Sequence, residues 1–214
     1  MSTFMIGKQE ILDWLKKSAA VIEQQKSYLT DLDSPIGDAD HGIIMDRGFK
    51  KVLTKLPSVE DKDIGTILKT TGMALISSVG GAAGPLYGTF FLDAAKSIPE
   101  KEELDVEDLV NLFESGLTGI KRIGKANGGD KTIIDAFEPA LEELRRAAAE
   151  NKPLQDSLES MSEAARKGMQ STIPMVARKG RASYVGERSA GHQDPGATST
   201  YYLIHALLDV VKEK

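Results

Sequence analysis

The chain of 214 residues contains no cysteine. Disulfides, thiolate metal sites and cysteine nucleophiles are thereby excluded, and oxygen- and nitrogen-bearing side chains must carry any chemistry. Aromatic residues are scarce at 6%. Alternating runs of Val, Ile and Thr bounded by turns do not occur, so the pattern of a strand-built sandwich or barrel is missing. Positive charge is not in excess, with 27 Lys plus Arg against 32 Asp plus Glu and a net charge of −5. An acidic chain lacks the electrostatic footprint of non-specific nucleic-acid binding. No window approaches the ~18 apolar residues of a membrane span. Lys8, Glu10, Asp13, Lys16 and Lys17 interrupt the start before the ~7–15 apolar residues of a signal peptide could accumulate. These absences predict a soluble, cytoplasmic protein with neither nucleic acid nor membrane among its partners.

What is present is helical periodicity. Ile64, Ile67, Leu68, Thr71 and Leu75 recur at spacings of three and four, as do Val106, Leu109, Val110, Phe113, Leu117 and Ile120. Further stripes run through Ile133, Ile134, Phe137, Leu141 and Leu144, through Leu154, Leu158, Met161 and Ala165, and through Ile204, Leu207, Leu208 and Val211. Asp105 with Asp108 three residues on reads as a capping box, and Asp194-Pro195 as an N-cap followed by proline at the first helical position. The pattern predicts about eight helices and no sheet, over 8–31, 41–56, 62–79, 84–98, 105–123, 131–150, 153–178 and 196–213. No linker or repeat divides them, so one all-α domain over 1–214 is expected, a bundle or barrel of antiparallel helices.

The polar residues concentrate between the helices. Asp31, Asp33, Asp38 and Asp40 fall within ten residues, beside Pro35, Gly37, His41 and Gly42. A solvated acidic loop with Asp40 capping the next helix is the ordinary arrangement for such a run. Here a tight turn would converge Asp33, Asp38 and Asp40 on one point, and an oxygen-only donor set favours a hard ion, Mg²⁺ or Ca²⁺. The spacing is not that of an EF-hand. A second segment, Ser77 to Gly88, is built of small residues that expose consecutive backbone N–H groups, either to hold an anion or to let helices pack closely. A third, Gly124 to Thr132, looks like a P-loop but fails as one. Asp130 separates the glycines from Lys131, and the preceding stretch is helical; Asp130 is better placed as an N-cap. The last, Ala177 to Ala197, is a long glycine-punctuated loop carrying Arg178, Lys179, Arg181 and Arg188. Together the segments suggest a Mg²⁺-dependent phosphate or nucleotide site made from loops at one end of the bundle. His205, among Ile204, Leu207 and Leu208, reads as a core or rim histidine.

The ordered motifs Gly37-Asp38-Ala-Asp40-His41-Gly42, Gly80-Gly81-Ala-Ala-Gly84-Pro85-Leu-Tyr-Gly88, Gly129-Asp130-Lys131-Thr132 and Gly180-Arg181-Ala-Ser183-Tyr184 through Asp194-Pro195-Gly196-Ala197 closely resemble the nucleotide-binding subunit of dihydroxyacetone kinase. The resemblance runs from the first helix to the last. It implies an eight-helix antiparallel barrel, with Asp33, Asp38 and Asp40 holding two Mg²⁺ ions that bridge the phosphates of ADP or ATP. It places His41, Gly42, Ile43, Ile44, Ala82, Ala83, Gly124, Ile133, Arg181, Asp194, Pro195 and Gly196 around the nucleotide, and assigns no residue as a nucleophile. The length resembles the stand-alone subunit of the phosphotransferase-system branch. There ADP is a retained cofactor, phosphorylated in place by a phosphohistidine donor protein, and the acceptor is dihydroxyacetone on a separate kinase subunit. A transcription regulator is a further partner to consider. Two positions depart from the family pattern: Ile44 stands where Asn is usual and Ala83 where Ser is usual. A nucleotide sensor without turnover and an ATP-exchanging kinase subunit would need the same residues. A nucleotide domain acting on a carried fatty acid is disfavoured by the Asp40-His41-Gly42 sequence and by the lack of a second domain.

Overall fold

The apolar stripes oblige each helix to bury one face, and the arrangement that satisfies all of them is a closed ring. In the computed structural model, which describes residues 5–214, nine α-helices follow one another: α1 Lys8–Gln24, α2 Lys26–Asp33, α3 His41–Lys55, α4 Ile64–Ser78, α5 Ala83–Ser97, α6 Val106–Gly124, α7 Ile134–Ala149, α8 Leu154–Ser171 and α9 Pro195–Lys212. From α3 onward each packs on the next, α1 packs on α3, and α9 returns to α1 to close the barrel, with the short α2 laid beside α3 and α9. The all-α architecture expected from periodicity is what forms. No helix among the described residues is long and apolar enough to cross a membrane.

Three features differ from the expected pattern. The helix predicted over 8–31 is two helices, hinged at Gln25, whose φ of −93° and ψ of 7° leave the helical region. The helix predicted over 153–178 stops at Ser171, because Pro174 has no N–H to donate and disfavours helix at the residue before it. A two-residue ladder, β1 Ile6–Gly7 antiparallel to β2 Glu103–Leu104, was not anticipated. The caps predicted at Asp105 and Asp194 are present, whereas the one predicted at Asp130 is not. Asp105 accepts from Asp108 N at 2.8 Å in a reciprocal capping box, and Asp194 accepts from Ala197 N at 2.7 Å.

The barrel interior is filled by rings. Trp14, Phe90, Phe91, Phe113 and Phe137 are almost wholly buried, with Phe90 stacked on Phe137 at 4.9 Å and edge-on to Phe91 at 5.2 Å. Burial of each such ring stabilises by roughly 1.5–3 kcal/mol. The Trp14 indole N–H donates to Leu203 O at 2.7 Å, tying α1 to α9. Helices α4 and α5 meet backbone to backbone: a Cβ on Gly72 would lie 2.7 Å from Gly88 O, and one on Gly88 2.9 Å from Gly72 O.

Alternation of direction decides where the loops go. The connections α2–α3, α4–α5, α6–α7 and α8–α9 share one end of the barrel. The connections α3–α4 and α5–α6 share the other, where Ile64 N bonds Lys101 O at 3.0 Å and β1 pairs with β2. Every second connection carries one of the four polar motifs, so antiparallel winding alone gathers them.

Candidate functional site

The acidic loop between α2 and α3 is shaped by two backbone requirements. Ala39 adopts a left-handed φ of 57°, which turns Asp38 and Asp40 toward each other. Gly37 lies against Asp33, where a Cβ would fall 1.9 Å from the carboxylate Oδ1. Asp33 is held in turn by N–H donation from Asp40 at 3.0 Å and His41 at 3.3 Å. The result is that one ligand atom from each of Asp33, Asp38 and Asp40 lies within 4.8 Å of the others. Burial, and then the charges of Asp38 and Asp33, hold the Asp40 carboxyl above its usual range, with Arg181 opposing. Arg181 donates to Asp38 at 2.9 Å. Three carboxylates with no sulfur or imidazole donor fit a hard divalent cation such as Mg²⁺.

Beside the carboxylates a cleft of about 220 Å³ opens between the four loops. It is lined by His41, Ile44, Ala82, Ala83, Gly124, Ile133, Arg181, Asp194, Pro195 and Gly196 along with the three aspartates. Gly42 and Ile43 are not in this lining. Gly42 packs against α2, where a Cβ would meet Lys26 O at 2.0 Å, and the Ile43 side chain is 48% exposed. Helices α3, α5, α7 and α9 all begin here, so four positive helix ends face the cleft and offset its acidity.

Several contributors had no signal in the sequence. Tyr87, fully buried, donates or accepts at Ser199 Oγ (2.7 Å) and Thr200 Oγ1 (2.9 Å), while His41 Nε2 meets Ser199 at 2.9 Å. This chain of hydroxyls is the polar floor beneath the cleft. Burial lowers the His41 pKa to about 4, with Asp33 opposing, so the ring is neutral near pH 7. Burial likewise raises the Asp194 carboxyl to about 7, against its bond from Ala197. Asp130 is not the cap of α7, since Ile133 occupies that place. Its carboxylate instead accepts from Asn127 N at 2.8 Å, and Asp135 accepts from Thr132 N at 2.7 Å. His205 sits at the rim, with Nδ1 2.9 Å from Ser162 Oγ.

Comparison with known proteins adds to this geometry. The model of the DAK2 domain matches residues 35–209. The PEP-dependent dihydroxyacetone kinase ADP-binding subunit DhaL of Escherichia coli K12 is 50% identical over 208 residues, covering 97% of this chain and 99% of that one. The chain belongs to the DAK2 domain family. A second relative, the PTS-dependent dihydroxyacetone kinase ADP-binding subunit DhaL of Lactococcus lactis, is 40% identical over 97% of this chain and 100% of its own length. The DAK2 fold is also seen in the dihydroxyacetone kinase of C. freundii solved with AMP-PNP and Mg²⁺. That chain superposes with a TM-score of 0.70 at 25% identity over 93% of this chain, which spans 33% of the larger enzyme.

Proposed function

We propose that this DhaL-like chain is the ADP-binding subunit of a phosphoenolpyruvate-dependent dihydroxyacetone kinase. In this reading it accepts a phosphoryl group from a phosphohistidine donor protein of the phosphotransferase system onto bound ADP. It then passes that group to dihydroxyacetone on a separate substrate subunit. The convergence of Asp33, Asp38 and Asp40 within 4.8 Å at the edge of the cleft carries the proposal.

The residues divide the work. Asp33, Asp38 and Asp40 would hold Mg²⁺, two ions in the proposed arrangement, and the bound metal supplies charge neutralisation for phosphoryl transfer. The N-terminal ends of α3 and α5 would face the phosphates, with the N–H groups of Ala82 and Ala83 as donors; at the start of α3 the His41 N–H is already given to Asp33 and the Ile44 N–H to Asp40 O at 2.9 Å. Ile133, Gly124, Pro195 and Gly196 form the apolar wall for the base and sugar, where Gly196 has no room for a side chain, its Cβ position lying 2.5 Å from Ile133 Cγ2. Arg181 is placed to exchange Asp38 for a phosphate oxygen. No side chain is positioned as a nucleophile, which fits a subunit whose task is positioning and charge compensation.

Native mass spectrometry of the freshly purified chain before and after EDTA tests this. The expected mass increment is one ADP with two Mg²⁺, lost on chelation, followed by turnover when substrate and donor subunits are added. A bare chain that binds ATP only in passing would refute the retained-cofactor reading. Stable binding without turnover would instead favour a sensor.

A further inference from the structure

Lys131 is 1% exposed and makes no carboxylate contact. Its backbone has a left-handed φ of 63°, a conformation that glycine enters easily and lysine does not. The side chain explains why lysine stands there. Nζ donates to Thr172 O at 2.8 Å, Met175 O at 3.1 Å, Ser189 O at 2.7 Å and also to His192 O. Two of these carbonyls precede the projecting stretch 176–188 and two follow it, so the ammonium closes a loop over 172–192. The ammonium has three protons for four acceptors, so none is left for a ligand.

Neighbouring bonds close the same neck. Gly191 N donates to Ile173 O at 2.7 Å, Asp194 N to Thr172 Oγ1 at 3.0 Å, Ala177 N to Ser189 Oγ at 2.8 Å and Arg178 N to Asp130 O at 3.1 Å. Beyond the neck the loop projects, with Tyr184 87% exposed at its outer side and Arg181 directed to Asp38. Burial lowers the Lys131 pKa, and the Asp194 charge opposes this.

We propose that Lys131 is a positioning residue: by gathering four carbonyls from both ends of the 172–192 loop, its ammonium fixes where Arg181 stands over the cleft. The part of this that concerns nucleotide rests on the function proposed above; the part that concerns the loop does not. Lys131 borders the cleft, but its ammonium is spent on the four carbonyls; on this proposal it acts on the nucleotide through the loop, so its effect and that of Arg181 must not multiply.

The test uses wild type, Lys131→Met, Arg181→Met and the double variant, with two readouts. In the absence of ligand, trypsin should cut Lys131→Met within 178–188 at least about tenfold faster than wild type, with cutting elsewhere unchanged, as expected of local opening. With Mg²⁺ and the fluorescent probe mant-ADP, each single variant should release the probe roughly tenfold faster, the scale of one lost charge-assisted hydrogen bond. The double variant should release it no faster than the faster single. Unchanged loop cutting, or release rates that multiply in the double variant, would overturn the proposal. If wild type fails to bind mant-ADP, the nucleotide reading falls and the proteolysis alone decides the role of Lys131. If Lys131→Met does not fold, Lys131→Cys provides the only thiol in the chain. Alkylated while unfolded with 2-bromoethylamine and then refolded, it should regain a protected loop. Equal protection from a neutral propyl adduct would overturn the proposal.

Discussion

Adding a single methyl group at position 37 separates the metal-site geometry from the rest of the fold. In Gly37→Ala the new Cβ would lie 1.9 Å from Asp33 Oδ1, 2.7 Å from its Cγ and 3.0 Å from its carbonyl oxygen. Gly37 does not have a positive φ, so the conflict is purely one of space. The backbone of the turn is itself bonded, Gly37 N to Asp33 O, so the carboxylate must give way. Rotating it forfeits the N–H donations from Asp40 and His41 at 3.0 and 3.3 Å. Hydrogen bonds to a charged group contribute about 1.5–3 kcal/mol each, and the longer of these two is the weaker, so a loss of about 2–4 kcal/mol is expected. For a domain of this size that corresponds to a fall in Tm of about 5–15 °C. Misplacing one of three carboxylates should weaken Mg²⁺-dependent ADP binding by about 10–100-fold, the scale seen when support of a metal ligand is removed. Metal-free thermal denaturation and calorimetric titration of ADP at saturating Mg²⁺ measure the two effects. A variant that melts within about 2 °C of wild type and binds ADP unchanged would refute the argument that Asp33 must stand where it does.

Other outcomes follow from the same site. Asp38→Ala should abolish nucleotide retention. Without metal it should melt at or slightly above wild type, because relief of repulsion with Asp33 and Asp40 outweighs a half-exposed ion pair to Arg181 worth about 0–1 kcal/mol; full retention of ADP on native mass spectrometry would remove Asp38 from the metal site. Ile44 and Ala83 both line the cleft, and restoring polar groups with Ile44→Asn and Ala83→Ser should slow nucleotide release by a few-fold, about 0.5–1.5 kcal/mol per hydrogen bond gained. Stopped-flow release at an unchanged or faster rate would contradict this. His41 has a folded pKa of about 4, below its usual value of 6.5. The unfolded chain therefore takes up the proton first as pH falls, and stability present above pH 6.5 is lost progressively down to pH 4, by up to about 3 kcal/mol. His41→Asn should flatten that part of the pH profile in urea denaturation, and an equal slope in both proteins would show that another group titrates.

The sequence made the helices and their order readable because each buries one stripe against the barrel, and burial at a period of 3.6 leaves its mark locally. The Asp105 and Asp194 caps were readable for the same reason, each bond spanning three residues. The convergence of Asp33, Asp38 and Asp40 was foreseeable from spacing, although the left-handed Ala39 that produces it was not. The hinge at Gln25 has no glycine or proline to announce it. Helix α8 had such a mark in Pro174, and its apolar stripe ends before that proline, so the predicted extension to 178 had no support in the pattern. Lys131 was beyond reach, since its four acceptors lie 41 to 61 residues away and are backbone atoms, which no residue type reveals. Tyr87 and Ser199, 112 residues apart, are invisible for the same reason.

The glycine crossing of α4 and α5 has a consequence for genetics. Gly72 and Gly88 touch about two turns below the Val79–Ala82 connection that forms one wall of the cleft. Any side chain there acts as a wedge at the base of that wall, spreading the two helices whose ends present Ala82 and Ala83. A screen for altered nucleotide affinity would consequently return substitutions at 72 and 88 alongside those at the aspartates, although neither glycine lines the cleft. Such alleles would look like distant regulators of the site while altering nothing except the gauge between two helices.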